Sequence, residues 1–292
     1  MASLIRRIAA FVSGEPPKPS AQRKHPVPPA PPARSTYAYL GRDRAVTVTR
    51  SGRILMLDTR DVGMTPHLAL SGEWERNVED TVVALLRPGA AVVEIGANHG
   101  YHTLAMAEAV GPQGLVHAFE PNPRLVPLLA ASVALNGMSS RVTVHAKAAA
   151  AAPGEVALVV HPDHAGSGHL EVASGGVGYS ERHMVEAVRI DDTAGRQLDS
   201  VQLIRLDCEG AEPLALRGAE ALISRSPELV LVMEWSVPMM QARADMAEFV
   251  AWLQASGFCH AWRIEGDGRT PLEMSTLPQL PHSEIILSRR AV

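Results

Sequence analysis

Aromatic side chains are scarce, with Phe, Trp and Tyr together making up 4% of the 292 residues. A core built on stacked rings is therefore excluded, and Ala, Val, Leu and Met have to supply it. Cysteine is almost absent. Cys208 and Cys259 are too few for a disulfide framework and fit a reducing, cytoplasmic setting. No apolar run reaches the roughly 18 residues of a membrane span. A large charge imbalance is missing too. The net charge of −4 lacks the positive excess that binding a nucleic-acid backbone requires, so no nucleic acid is expected as a partner. What remains, 46% hydrophobic residues and a mean hydropathy of +0.03, is the composition of an ordinary globular chain.

The charge that is present is unevenly placed. Of 27 basic and 31 acidic groups, six basic ones and one acid lie in residues 1–36, so the rest carries 21 and 30. That segment contains EPPKPSAQRKHPVPPAPPARS, too rich in proline to pack, and reads as a disordered, basic arm. Before it, SLIRRIAAFV gathers Leu4, Ile5, Ile8, Phe11 and Val12 on one helical face. This stretch is either a frayed terminal helix or a contact for a partner or an anionic surface. It is too short and interrupted to read as a signal peptide.

From residue 37 the punctuation becomes that of a folded domain. AVTVT and RILML flank a turn at Arg50-Ser51-Gly52, and a helix is expected from Arg76 to Leu86, stopped by Pro88-Gly89. We assign residues 37–90 to a β/helical extension and 91–292 to the main domain. There, short apolar runs alternate with helices: AVVEI, Tyr101–Val110, LVHAF, Pro123–Asn136, VTVHA. LIRL, ELVLVM, Asp245–Ser256, CHAWRI and EIILSR complete the series. Uninterrupted apolar strands alternating with helices predict a doubly wound α/β fold. Its mostly parallel, Rossmann-like sheet should have seven strands, with the last two forming an antiparallel edge. HPDHAGSGHLEVASGGVGYS, between Val160 and Glu181, is read as a long glycine-rich loop over the acceptor.

The stretch VVEIGANHGYH ends a strand on Glu94 and opens a helix through Gly96 and Gly100. It is neither G-x-G-x-x-G nor a P-loop, the two turns that cradle phosphates. A carboxylate here repels a pyrophosphate but attracts a ligand with a positive amino group, and S-adenosylmethionine (SAM) carries one beside its sulfonium. Glu120, 26 residues later in AFEPNP, ends the next strand, where a carboxylate can accept both ribose hydroxyls. The expected cofactor residues are Glu94, Gly96, Asn98, Gly100, Glu120, Pro121 and Asn122. A Rossmann-like turn that binds NAD, or nothing, stays open beside this reading.

VVEIGANHGYHTLAMA, VHAFEPNPRLVPLLAASVALNG and LIRLDCEGAEPLALRGAEALI…PELVLVMEW together resemble the FkbM family of SAM-dependent methyltransferases, as does the upstream SGEWE. The resemblance spans about residues 60–288. Members usually carry Asp at the position of Glu94 and often Val at that of Cys208. The resemblance implies a SAM-binding fold that methylates a hydroxyl oxygen of a sugar, glycan or secondary metabolite.

Such a transfer needs the hydroxyl aligned and its proton removed. Asp207, Glu209 and Glu234 are the catalytic candidates, with Glu212 weaker and His99 in reserve. As neighbouring strand ends they can converge, either raising one member's pKa or holding Mg²⁺. Glu209 and Glu212 can also simply favour a helix N-terminus. No compact metal-ligand spacing exists, and His161, His164 and His169 read as solvated loop residues. Trp74 and Trp235 are either pocket walls or core. The competing class is a non-catalytic protein of the same fold that recruits partners through its arm.

Overall fold

The computed structural model describes residues 36–171, 181–266 and 268–291. The expected basic arm and its amphipathic start thus lie outside the described residues. The chain opens with a three-stranded antiparallel sheet, β1 (Thr36–Gly41), β2 (Arg44–Val48) and β3 (Ile54–Asp58), then α1 (Met64–Ser71) and α2 (Arg76–Leu85). The alternating series follows with β4 (Ala91–Ile95), α3 (Tyr101–Val110), β5 (Leu115–Phe119), α4 (Val126–Leu135) and β6 (Val142–His145). Next come β7 (Ala148–Ala149), β8 (Gly154–His161), β9 (His164–Leu170) and β10 (Glu181–Val188). The last third holds β11 (Leu203–Leu206), α5 (Glu212–Arg217), α6 (Glu220–Ser224), β12 (Val230–Trp235), α7 (Val237–Met240) and α8 (Met246–Ala255). It ends with β13 (His260–Glu265), β14 (Gly268–Leu272) and β15 (Ser283–Ser288).

The main sheet runs β14-β13-β15-β12-β11-β4-β5-β6, with β12, β11, β4, β5 and β6 parallel. β15 pairs antiparallel with both β12 and β13, so the expected antiparallel C-terminal edge is present. Among the described residues this sheet has eight strands rather than seven, because β14 folds back onto β13. Both faces are covered, which is why the parallel strands lack apolar–polar alternation. Val93, Ile95, Ile204, Leu206 and Met233 pack with Leu216 of α5, Leu222 of α6 and Phe249 and Leu253 of α8. On the other face Val92, Leu203, Val232 and Ile286 meet Leu68 of α1, Val82 of α2, Leu104 of α3 and Leu129 of α4.

As far as Glu171 the glycine-rich segment after Val160 is not an aperiodic loop but contributes β9 to a separate four-stranded sheet of order β7-β10-β8-β9, while residues 172–180 of the expected loop lie outside the described residues. Glycine usually weakens a strand. Here it permits close packing: a Cβ on Gly166 would sit 2.6 Å from the Asn98 amide nitrogen, and one on Gly168 3.3 Å from Val160. No helix among the described residues is long and apolar enough to cross a membrane.

The N-terminal extension shares the second core, with Ala45, Leu55 and Leu57 buried beside Val92 and Val116. A buried ion pair reinforces this junction. Arg53 Nη2 donates to Glu79 of α2 at 2.6 Å, and Tyr101 of α3 donates its hydroxyl to the same carboxylate. Arg53→Met removes one partner and leaves the Glu79 charge buried, so chemical denaturation should show a loss of about 3 kcal/mol. Arg53→Met with Glu79→Met should recover much of it.

Candidate active site

The carboxyl ends of β4, β5 and β11 open onto a cleft with about 600 Å³ of empty space, its mouth included. Its walls carry Gly96, Asn98, Glu120, Pro121, Asn122, Asp207 and Cys208, with Phe119, Ala148 and Ala149 forming an apolar strip. Leu158, Ala165, Gly166 and Leu170 of β8 and β9 also line the cleft, so that with Ala148 and Ala149 of β7 the smaller sheet contributes to the wall. The segment read as an acceptor loop therefore walls the same cleft as the cofactor turn.

The turn after β4 is tightly constrained. Gly96 has φ +83°, and a Cβ there would fall 1.8 Å from the Asp207 carbonyl oxygen. Glycine is thus demanded by the close approach of the β4 and β11 ends. Gly100, at φ +93°, leaves no room for a Cβ beside Leu129. Glu120 holds the turn from the next strand. Its carboxylate accepts the backbone N–H of Asn98 at 2.7 Å and of Asn122 at 2.8 Å. Burial outweighs those bonds and raises the Glu120 pKa to about 7. Asn122 in turn donates to the Ala165 carbonyl of β9 at 3.1 Å.

Glu94 does not line this cleft. It is 0% exposed, accepts the Thr103 hydroxyl, and lies 3.7 Å from an Arg205 nitrogen. Burial raises its pKa to about 7 against the pull of Arg205. His99 does not face the cleft either. It is buried, and its Nε2 accepts the Asp58 backbone N–H at 3.1 Å, tying the turn to β3. Trp235 is core, its Nε1 donating to the Leu277 carbonyl at 2.9 Å. Trp74 packs edge-on to His67.

The register explains the acidic patch beside the cleft. Arg205 stands opposite Glu94 across β11–β4, while Glu284 stands opposite Glu234 across β15–β12. Asp207 follows two residues after Arg205, so these side chains share the face that is apolar further back at Val92, Leu203 and Val232. Glu75 reaches the same place from the start of α2, held by His102 at 3.2 Å and Arg205 at 3.4 Å. Glu209 and Gly210 both adopt left-handed backbone, at φ +57° and +88°, turning the chain out of β11.

Within this patch the carboxyls differ. Burial first, then repulsion from Asp207 and Glu212, raises Glu209 to about 7. Burial and repulsion from Asp207 and Glu209 raise Glu234 to about 9, and burial with Asp207 raises Glu284 to about 8. Glu212 is also raised, by burial, while its carboxylate accepts the Cys208 N–H at 2.9 Å. Cys208 is half-buried on the cleft wall, and desolvation and the neighbouring acids push its thiol well above its ordinary value. Among the described residues, no three His, Cys, Asp or Glu side chains are grouped as a metal-ligand set.

Arg205 escaped the sequence reading although its signal was visible, a charge inside the four-residue apolar strand LIRL. Lys147 and the walls from β8 and β9 carried no such signal.

The chain matches the model of the methyltransferase FkbM domain over residues 94–259, more than half its length. It belongs to that family. The match takes in both the β4 turn and the β11 and β12 strand ends of the FkbM domain. Protein-L-isoaspartate O-methyltransferase of Methanothrix thermoacetophila is 49% identical over 43 residues, 15% of this chain and 20% of the relative. That of Hyperthermus butylicus is 38% identical over 71 residues, 22% and 30%. The chain thus spans less than a third of the length of the curated relatives it matches. An O-methyltransferase from Bacillus cereus in complex with SAH matches at TM-score 0.44 and 13% identity, over 74% of this chain and 80% of that one. Aeropyrum pernix fibrillarin with bound SAM matches at TM-score 0.43 and 12% identity, over 87% and 97%.

The raised carboxyls have a consequence for stability. Each binds its proton more tightly folded than unfolded, so its contribution is complete below the ordinary carboxyl value and disappears as pH rises through 7 to 9. Buried His99 and His102 and half-buried His145 are shifted down by desolvation and oppose this trend only below their ordinary value near 6.5. Thermal unfolding should therefore show a melting temperature that falls steadily from pH 7 to 9. Glu234→Gln should flatten the upper part of that fall.

Proposed function

We propose that this FkbM-family protein is a SAM-dependent O-methyltransferase acting on a hydroxyl of a sugar, glycan or secondary metabolite. The observation that carries the reading is a cluster of acids gathered around Asp207 of the cleft wall, in which burial and mutual repulsion raise Glu209 to about 7 and Glu234 to about 9. Near neutrality Glu209 is partly ionised and can accept a proton. Glu234 keeps its own and can donate a hydrogen bond to the acceptor. That division of labour suits a hydroxyl, whose proton must be removed as its oxygen attacks.

The cleft's chemistry fits SAM. Phe119, Ala148 and Leu158 offer an apolar slot for an adenine ring, and each Glu120 oxygen keeps a lone pair for a ribose hydroxyl. Asn98, Pro121 and Asn122 support that carboxylate, while Gly96 and Gly100 keep the turn narrow. Asp207 lines the cleft and its side chain is 29% exposed, so we give it the donor's ammonium and treat buried Glu94 as its support. When bound, SAM supplies an electrophilic methyl carbon on a sulfonium. The chain's own part is to align the acceptor oxygen, let Glu209 take its proton and keep water from the cleft. Oxygen as the acceptor atom is also what the names of the curated relatives suggest.

Two measurements test this reading. Calorimetry should show SAM binding that Glu120→Ala weakens, whereas NADH binding without SAM binding would overturn it. Release of S-adenosylhomocysteine over a panel of saccharides and hydroxylated metabolites should identify an acceptor. Glu209→Gln should then lower turnover by roughly 10²-fold with SAM affinity nearly unchanged. Activity lost in EDTA and restored by Mg²⁺ would transfer the proton step to a metal.

A further inference from the structure

We propose that Arg205 is a positioning residue for donor recognition, acting through Asp207 on the amino-acid arm of the bound nucleoside. The proposal rests on the reading of the cleft as the donor site and goes beyond it, by assigning a role to a residue that does not line the cleft. Arg205 is 2% exposed, in the middle of a strand whose other residues are Leu, Ile and Leu. A guanidinium in such a place is costly unless it is paired on several sides. It is paired with three carboxylates from three elements. Nη2 donates to Asp207 at 3.0 Å and to Glu75 at 3.4 Å, while Nη1 lies 3.7 Å from Glu94.

Of those three partners only Asp207 lines the cleft. Glu94 is sealed beneath it, and Glu75 is held from α2 by His102. The guanidinium therefore ties the one cleft-facing carboxylate to buried Glu94 and half-buried Glu75, in a planar fork that fixes direction as well as charge. Glu209, Glu212, Glu234 and Glu284 surround Asp207 with further acid. Without Arg205, nothing positive on β11 would balance Asp207 or hold its orientation. The ligand group that such a carboxylate serves is an ammonium, which the donor carries on its amino-acid arm and not on its nucleoside.

The nucleoside and its arm can be separated experimentally. S-adenosylhomocysteine has the arm, whereas 5′-methylthioadenosine shares the nucleoside and lacks it. In calorimetric titrations of the full chain, Arg205→Met should weaken S-adenosylhomocysteine about 30-fold, the loss of one charged hydrogen bond. Binding of 5′-methylthioadenosine should stay within about twofold. Arg205→Lys should restore most of the lost affinity. Asp207→Asn should show the same ligand-selective loss, and adding Arg205→Met to it should weaken S-adenosylhomocysteine no further. Equal losses for both ligands, or additive effects of the two substitutions, would overturn the proposal and make Arg205 merely structural. If Arg205→Met does not fold, Asp207→Asn still decides, since no selective loss there also overturns it. Failure of the unsubstituted protein to bind either ligand would instead sink the donor-site reading itself.

Discussion

One buried guanidinium governs the site. Parallel strands end in a row, and on the face shared by Glu94, Arg205 and Glu234 their last residues turn from apolar to acidic. Burying that many carboxyls without compensation would cost several kcal/mol per ionised group. Arg205 supplies the compensation for Asp207, Glu75 and Glu94. The others meet the cost differently, by retaining protons: Glu209 near neutrality, Glu284 and Glu234 well above it.

The cleft is assembled from three pieces of chain, joined by hydrogen bonds that leave little slack. The β3 end reaches the cofactor turn through Asp58 and His99, and its Asp58 carboxylate accepts from Arg124, just ahead of α4, at 2.9 Å. The smaller sheet reaches the turn through Asn122 and the Ala165 carbonyl, with Gly166 seated against Asn98. Asp61 completes the link, accepting backbone N–H groups from both Thr65 of α1 and Ala165 of β9. The N-terminal extension is thus a support for the wall of the cleft as well as a cover for the sheet.

Much of this was legible in the chain itself. Continuous apolar runs such as AVVEI and LVHAF gave β4 and β5, because strands covered on both faces need no polar side. Glycines at 96, 100 and 111 marked turns that only left-handed backbone can make. Asp245 marked the start of α8, where its carboxylate accepts the Glu248 N–H at 2.9 Å. The strand at HAGSGHL was not legible, since small residues there serve a contact with Asn98 that no local pattern encodes. β1 escaped as well, its residues being largely exposed and without alternation.

Sequence by itself determined the order of elements and the residue types at the strand ends, because hydrophobic period, glycine and proline act over a few neighbours. Tertiary structure decided which of those acids face the cleft. Glu94 and Asp207 both end parallel strands, yet one is sealed beneath Arg205 and the other lines the opening. That difference arises from strand register and from what packs above each end, Thr103 of α3 in the first case and the Gly96 turn in the second. The pairings of Glu94 with Arg205 and of Gly96 with Asp207 join residues more than a hundred positions apart in the chain, and only the folded sheet brings them within reach of one another.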